Sequence, residues 1–271
     1  VFSLSFYLDA LSSDWCLLTD DTYSFGIALP LMTRFGIQQI YTPVFVRYTE
    51  WIGDQSKLAE AIPIIQSTFP AGQLNVKAHD LGLIQGKQLR FQVIKDEAFT
   101  INTQAKRMLS RFERSGMKIQ TVADSKPIIE RISEELVGKI SGINERSVHR
   151  LEKLIRILDE KGMLEVHMVT FNQQEVGGVI LIHFNGRTLY LKGAFTKDAK
   201  HNGAMYAVMH SAILSTVNRN ERFDFGGSNA EGVRRFNVNL GGKDEFYSCM
   251  EWDRLPQWFK LAQKTIRWIR K

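Results

Sequence analysis

The chain has 271 residues and a mass of 31.0 kDa, with 44% hydrophobic and 24% charged residues, the balance of a globular protein able to core one or two domains. A net charge of +6 and a pI of about 9.3 point to an anionic partner such as coenzyme A, transfer RNA, another nucleic acid or acidic lipid, or to no more than solvated basic faces. No run approaches the roughly 20 apolar residues of a membrane helix, and Cys16 and Cys249 are too few for a disulfide scaffold, which suits a reduced, cytoplasmic setting with both thiols buried.

Residues 15–19 and 23–32 are β-prone and separated by Asp20-Asp21-Thr22, which predicts an antiparallel hairpin, and residues 37–41 predict a third strand. Residues 43–53 hold Phe45, Tyr48 and Trp51 among Arg47, Glu50 and Gly53, and read as a loop that lines a pocket or lids a core. Ser56 precedes Leu58, Ala59, Ile62, Ile65 and Phe69 at helical spacing, with Pro63 predicting a kink or an early break. Strands over 73–78 and 88–94 follow, with a turn at Gln85-Gly86 between them. A helix over 102–115 and a strand over 118–122 close the first half.

Asp124-Ser125-Lys126-Pro127 joins an N-cap to a first-turn proline, and the boundary between domains 1–123 and 124–271 is placed there. Ile128, Ile129, Ile132, Leu136 and Ile140 form one helical stripe. After Ser141-Gly142, residues Val148, Leu151, Leu154, Ile155 and Leu158 form a second, which Gly162 ends. A meander over 164–171, 175–184 and 187–195 turns at Asn172-Gln173-Gln174 and at Asn185-Gly186, the latter a strong hairpin signal. A helix over 203–217, a short strand over 222–225, a helix over 230–238, a strand near 245–252 and a basic helix from Pro256 complete the order.

The stretch RFDFGGSNAEGVRRFNVNLGGK, residues 222–243, offers the most chemistry. Gly226-Gly227 removes Cβ where the chain turns sharply or meets a ligand, and Ser228 or Asn229 is placed to cap the following helix. Backbone N–H groups gathered at such a helix start suit an anion or a developing oxyanion, although the same spacing makes an ordinary tight turn.

Asp224-Phe225-Gly226-Gly227-Ser228, with Arg235-Phe236 and Leu240-Gly241-Gly242, resembles the close of GNAT-fold acyltransferases in their tandem, FemABX-like branch. Lys106, Arg107, Arg111 and Arg114 ahead of Gly116 and the strand KIQTV resemble a basic helix-to-strand element of that branch. Residues 15–45, with Gly26-Ile27-Ala28-Leu29-Pro30 and Gly36-Ile37-Gln38-Gln39-Ile40-Tyr41, are similar to the opening of a GNAT-like group within it. The resemblance implies an α/β fold of mixed sheets, built as tandem GNAT-like domains with a cleft between them. It implies acyl transfer from a thioester to an amine, with acyl-CoA as co-substrate and no tightly bound cofactor. The alternatives are aminoacyl transfer from aminoacyl-tRNA to a peptide acceptor, and a non-catalytic ligand-binding protein on the same fold.

On the implied fold Asp224 and Glu231 are the candidate bases and Tyr206 the candidate acid. Tyr190, Lys192, Lys200, Asn202, Gly203, Gly226, Gly227, Ser228 and Asn229 would surround the donor. Two departures stand out. The family's pyrophosphate loop reads Gln or Arg, two residues, Gly, one residue, then Gly or Ala, and here Lys200-His201-Asn202-Gly203-Ala204-Met205 matches well only at Gly203. The tyrosine that protonates the leaving thiolate in many members is Phe236, whose ring donates no proton. Asp224 alternates with Phe223 and Phe225 and so faces away from them, free to act as base, to cap the turn, or to pair with Arg234 or Arg235. The helix carrying Lys106 to Arg114 guides an anionic substrate or is a solvated face. The six histidines show no metal-ligand spacing, although His167 and His183 fall on neighbouring strands, so no metal is expected.

Overall fold

The computed structural model describes residues 1–79, 82, 84–95, 99–136, 144–227 and 229–259. The chain opens with a short helix α1 (Ser5–Leu11), then β1 (Asp14–Thr19), β2 (Phe25–Arg34) and β3 (Ile37–Ile40). Two short strands follow, β4 (Thr49–Glu50) and β5 (Ile52–Gly53), where the aromatic-rich sequence reads as a loop; β4 pairs with the strand from Ala71 and β5 with β2. Helix α2 (Leu58–Thr68) runs on past Pro63. The proline removes one backbone donor, but Leu58, Ala61 and Ile65 bury one face of the helix and hold it. Strands β6 (Ala71–Lys77) and β7 (Lys87–Ile94) come next.

Helix α3 (Thr103–Glu113) starts at Asn102, whose side chain accepts from the Ala105 N–H at 3.0 Å, and β8 (Lys118–Val122) follows Gly116, which adopts a positive φ of 74°. Helix α4 (Lys126–Leu136) is entered where Asp124 accepts from the Lys126 N–H. Ile140, the last member of its expected stripe, lies outside the described residues. Helix α5 (Glu145–Glu160) opens with a reciprocal cap between Asn144 and Ser147. The meander is β9 (Leu164–Phe171), β10 (Gln174–His183) and β11 (Arg187–Phe195), and both its turns take positive φ, at Asn172-Gln173 and Asn185-Gly186. Then come α6 (Lys197–His201), α7 (Ala204–Asn218), β12 (Arg222–Asp224), α8 (Glu231–Asn239) and β13 (Lys243–Asp253). The basic helix expected from Pro256 lies mostly outside the described residues.

These elements form two compact units, Val1–Leu89 with the chain from Phe246 onward, and Arg90–Glu245. The boundary drawn at 123/124 therefore falls inside the second unit, between β8 and α4. In the first unit the strand order is β1-β2-β3-β6-β13, and α2 supplies Leu58, Ala61 and Ile65 to a core with Ile27, Leu29, Leu74, Val76 and Met250. Cys249 is buried in this unit and Cys16 half-buried, both free thiols, and desolvation is the main cause that raises the pKa of each.

In the second unit the order is β7-β12-β11-β10-β9-β8. Neighbours run antiparallel except β11 and β12, which are parallel. Helix α7 covers one face and buries Val208, Met209, Ala212, Ile213 and Val217 against Val179, Leu181 and Phe223. Each fully buried Val, Ile or Met there contributes about 1.5–3 kcal/mol. The other face carries α4, since a Cβ on Gly178 of β10 would meet Ile128 of that helix at 2.4 Å.

Candidate active site

The site is built around β11. Its parallel pairing with β12 covers Arg187, Thr188 and Leu189 and stops at the Leu189–Asp224 pair, while β11 itself continues to Phe195. On its other edge, Leu181 of β10 faces Tyr190 and Ile180 faces Lys192, so Leu191 is an extra, bulged residue. A strand free of β12 on one edge and bulged against β10 on the other offers backbone N–H groups to a ligand. The intact alternation of Leu189, Tyr190, Leu191 and Lys192 gives no sequence signal of that bulge.

The bulge also sets where the side chains go. Tyr190, opposite Leu181, packs into the core beside α7, and burial raises the pKa of its hydroxyl, opposed by a backbone hydrogen bond from Gly193. Lys192, opposite Ile180, lies on the α4 face. Desolvation holds the pKa of its ammonium below the ordinary value, against the attraction of Glu135 and with the repulsion of Lys200. Glu135, on α4, accepts from Lys200 Nζ at 2.7 Å and from the Phe195 N–H at 3.4 Å. Glu135 was not among the residues singled out from sequence; it lies 65 positions from Lys200, and only the packing of α4 on β11 joins them.

The glycine hinge is a turn tied to the closed end of the strand. Asp224 is fully buried; its carboxylate takes the Arg187 guanidinium and accepts from the Gly226 N–H at 2.9 Å. That geometry makes it a turn anchor paired with Arg187, where the sequence offered Arg234 or Arg235. Gly226 has φ +80°, and a Cβ on it would lie 2.5 Å from the Tyr190 carbonyl oxygen, so only glycine lets β12 turn off there. Gly227 is exposed, and Ser228 lies outside the described residues. Asn229 does not cap α8, whose N-cap is Ala230 without a side-chain bond; its Oδ1 accepts from the Arg90 N–H at 3.3 Å instead. Glu231 is exposed on the first turn of α8, in ion pairs with Arg90 at 3.1 Å and Arg234 at 3.5 Å.

The loop matched to the pyrophosphate motif is held by α3. Gly203 has φ +84°, and a Cβ on it would sit 2.2 Å from the Met108 carbonyl oxygen. Its lack of a side chain therefore serves helix packing. Arg111 of α3 donates to the His201 carbonyl at 3.0 Å, and the Asn202 N–H bonds back to Asp198 at 2.9 Å. Tyr206 packs edge-on against Phe236, and its hydroxyl accepts from Asn239 at 3.0 Å; Asn239 in turn accepts from Asn102 at 2.7 Å. The network ties α7, α8 and the start of α3 together.

At the other end of the meander, Glu165 places one oxygen on His167 Nε2 and the other on His183 Nε2, and these bonds hold its pKa well below the carboxylate range. His183 Nδ1 lies 3.1 Å from the Thr188 hydroxyl, which donates to Glu221 at 3.2 Å. Sequence reasoning reached the two histidines and missed their shared partner, although Glu165 and His167 stand at the two-residue spacing of one strand face. Among the described residues no group of three His, Cys, Asp or Glu could hold a metal ion, and no helix is long and apolar enough to cross a membrane.

A parallel pair that parts beyond a short contact, a bulged central strand and helices on both faces define an acyltransferase fold, and residues 101–236 match the family described as acetyltransferase (GNAT) domain. The chain belongs to that family. No curated protein sequence matches it. Among solved structures it is similar to FemX, with a TM-score of 0.62 and 11% identity over 92% of each chain. It is also similar to the C-terminal domain (DUF2156) of a protein assigned as a lysylphosphatidylglycerol synthetase from Agrobacterium fabrum, with a TM-score of 0.59 and 11% identity over 93% of this chain and 87% of that one. A tandem GNAT protein from the clavulanic acid biosynthesis pathway gives a TM-score of 0.51 and 8% identity over 91% and 85%. At these identities the likeness is one of fold, and it agrees with the mixed α/β, GNAT-like architecture read from the sequence.

Proposed function

We propose that the second unit transfers an aminoacyl group from an aminoacyl ester of RNA to an amine. The observation that carries acyl transfer is the release of β11 from β12 after Leu189, with the bulge at Leu191 beside it. The acyl carbonyl would lie along residues 190–195, where fixed backbone N–H groups stabilise the oxyanion of the tetrahedral intermediate, and the held geometry brings the amine to it. The amine nitrogen bonds to the carbonyl carbon, the carbon–oxygen ester bond breaks, and the amine proton leaves with the ribose oxygen.

The choice of an ester donor over coenzyme A rests on the loop at Gly203. A carbonyl oxygen of α3 sits against it, and Lys200, the cation nearest a pyrophosphate there, is engaged by Glu135. The resemblance to the FemABX-like branch and the name of the lysylphosphatidylglycerol synthetase neighbour both favour aminoacyl chemistry. The exposed basic residues of α3, Lys106, Arg107 and Arg114, supply a face for the RNA backbone.

The test is a pair of titrations on the full chain. Calorimetry with acetyl-CoA should give no binding at millimolar ligand, and filter binding of mixed aminoacyl-tRNA should give retention that weakens steeply with salt. Micromolar acetyl-CoA binding without retention of tRNA would overturn the donor and return the reaction to thioester chemistry.

A further inference from the structure

The positive charge of this chain is concentrated in one place. Residues 256–271, PQWFKLAQKTIRWIRK, hold five lysines and arginines and no Asp or Glu, so they carry five of the six net positive charges, and they hold two of the five tryptophans. At helical spacing Lys260, Lys264, Arg267, Arg270 and Lys271 gather on one side, and Trp258, Leu261, Ile266, Trp268 and Ile269 on the other. Residues 260–271 lie outside the described residues, so this division is one of sequence; the structure shows how the stretch begins. Phe259 is fully buried and meets Phe35 edge-on, with ring centroids 5.4 Å apart, which seats the stretch on the turn between β2 and β3 within the first unit. Around Phe259, Trp258 is 56% exposed and Phe35 51% exposed, so two large rings from distant parts of the sequence face solvent.

The turn itself is unusual. Arg34 pairs with Ile37, which leaves Phe35 and Gly36 as its two central residues, with φ of +50° and +75°. Two positive φ values in a two-residue hairpin call for Asn-Gly or Gly-Gly, and a bulky side chain there is strained. Contact with Phe259 leaves half of Phe35 in water, so burial within the fold does not account for it.

We propose that the turn between β2 and β3 and residues 256–271 form a docking surface for an anionic lipid bilayer. The rings of Phe35 and Trp258 and the apolar side of the stretch enter the interface, and its cations, with exposed Arg34 beside Phe35, meet the lipid phosphates. An RNA backbone would satisfy the cations but leave the apolar side in water. A bilayer takes both, and tryptophan is a residue favoured at its boundary with water. The surface belongs to the first unit and does not depend on the acyl donor used by the second.

Cosedimentation of the full chain with vesicles is the test. Pelleting is expected with vesicles of phosphatidylcholine mixed with phosphatidylglycerol and not with phosphatidylcholine alone, and it should weaken as salt rises. Lys260→Gln and Lys264→Gln should each weaken it roughly fivefold. Phe35→Asn places a residue suited to the turn, so it should leave the thermal midpoint unchanged or raised while weakening pelleting. It should also lower the surface-pressure rise that the protein causes in a phosphatidylglycerol monolayer, and Trp258→Ser should lower both lipid readings. No pelleting with the mixed vesicles, equal pelleting with both kinds, or binding indifferent to Phe35→Asn and Trp258→Ser would overturn the proposal. Loss of tRNA retention on combining Lys260→Gln with Lys264→Gln, at unchanged pelleting, would overturn it too and assign the stretch to RNA. Failure of the donor titrations with pelleting intact leaves this surface standing.

Discussion

The two ends of β11 are built to opposite rules. At its start, Arg187 is matched to buried Asp224, and Thr188 joins a chain of bonds through His183 and Glu165 to His167, whose Nδ1 stays buried without a partner among the described residues. At its far end the strand is bulged, uncovered by β12, and carries in Lys192 an ammonium without a hydrogen bond among the described residues. Ion pairing to buried Asp224 fixes the first end as scaffold. The second end is the open one, where β11 runs on past its pairing with β12 and a ligand can meet the strand.

Substitutions should separate the two ends by sign and size. Asp224→Ala strips a fully buried carboxylate from Arg187 and frees the Gly226 turn, and is expected to destabilise the second unit by about 3–5 kcal/mol, read as a fall in the urea midpoint followed by ellipticity. A loss under roughly 1 kcal/mol would show that Asp224 is not a structural anchor. Gly203→Ala forces a side chain into a positive φ and against the Met108 carbonyl, for roughly 2–3 kcal/mol in the same assay. A neutral result there would reopen the loop to a phosphate.

Glu165→Gln should cost about 2 kcal/mol, the scale of hydrogen bonds to an ionised group. It should also change the pH profile in a definite direction. The native pKa of Glu165 is depressed, so its contribution is complete above the unfolded carboxylate value of about 4.3 and is lost as pH falls through the native value. Wild-type stability should therefore drop on acidification below that point, and the substituted protein should lose part of this slope. Lys192→Met is the smallest expected change, within about 0.5 kcal/mol or a slight gain, because it removes a desolvated charge with no hydrogen bond to lose. A large loss of stability would place Lys192 with the ion-paired end instead.

How much of this could be read from the chain follows the range of the interactions. The meander, its two turns and helices α3, α4 and α5 were legible because side-chain period and local caps encode them within a few residues. The short strands β4 and β5 were not, since they exist only through pairing with β6 and β2, and Pro63 misled because buried Leu58, Ala61 and Ile65 outweigh one lost hydrogen bond. Helix α6 is a single turn fixed by Thr196, too short for a periodic signal. For the site, the motif located the right strand and hinge but not the partners. Asp224 lies 37 positions from Arg187, and no local pattern records that the parallel pairing of β11 and β12 brings them together.

The division of the chain has a spectroscopic consequence. The described tryptophans, Trp15, Trp51, Trp252 and Trp258, all belong to the first unit, and residues 90–245 contain none. Trp51 is buried in that unit's core, and the Trp252 indole donates to the Phe69 carbonyl at 2.8 Å. Tryptophan emission is thus a built-in reporter of the first unit, blind to the second. A denaturation curve read by fluorescence and one read by ellipticity will part company whenever the second unit is weakened alone, and the gap between them measures how independently the two halves melt.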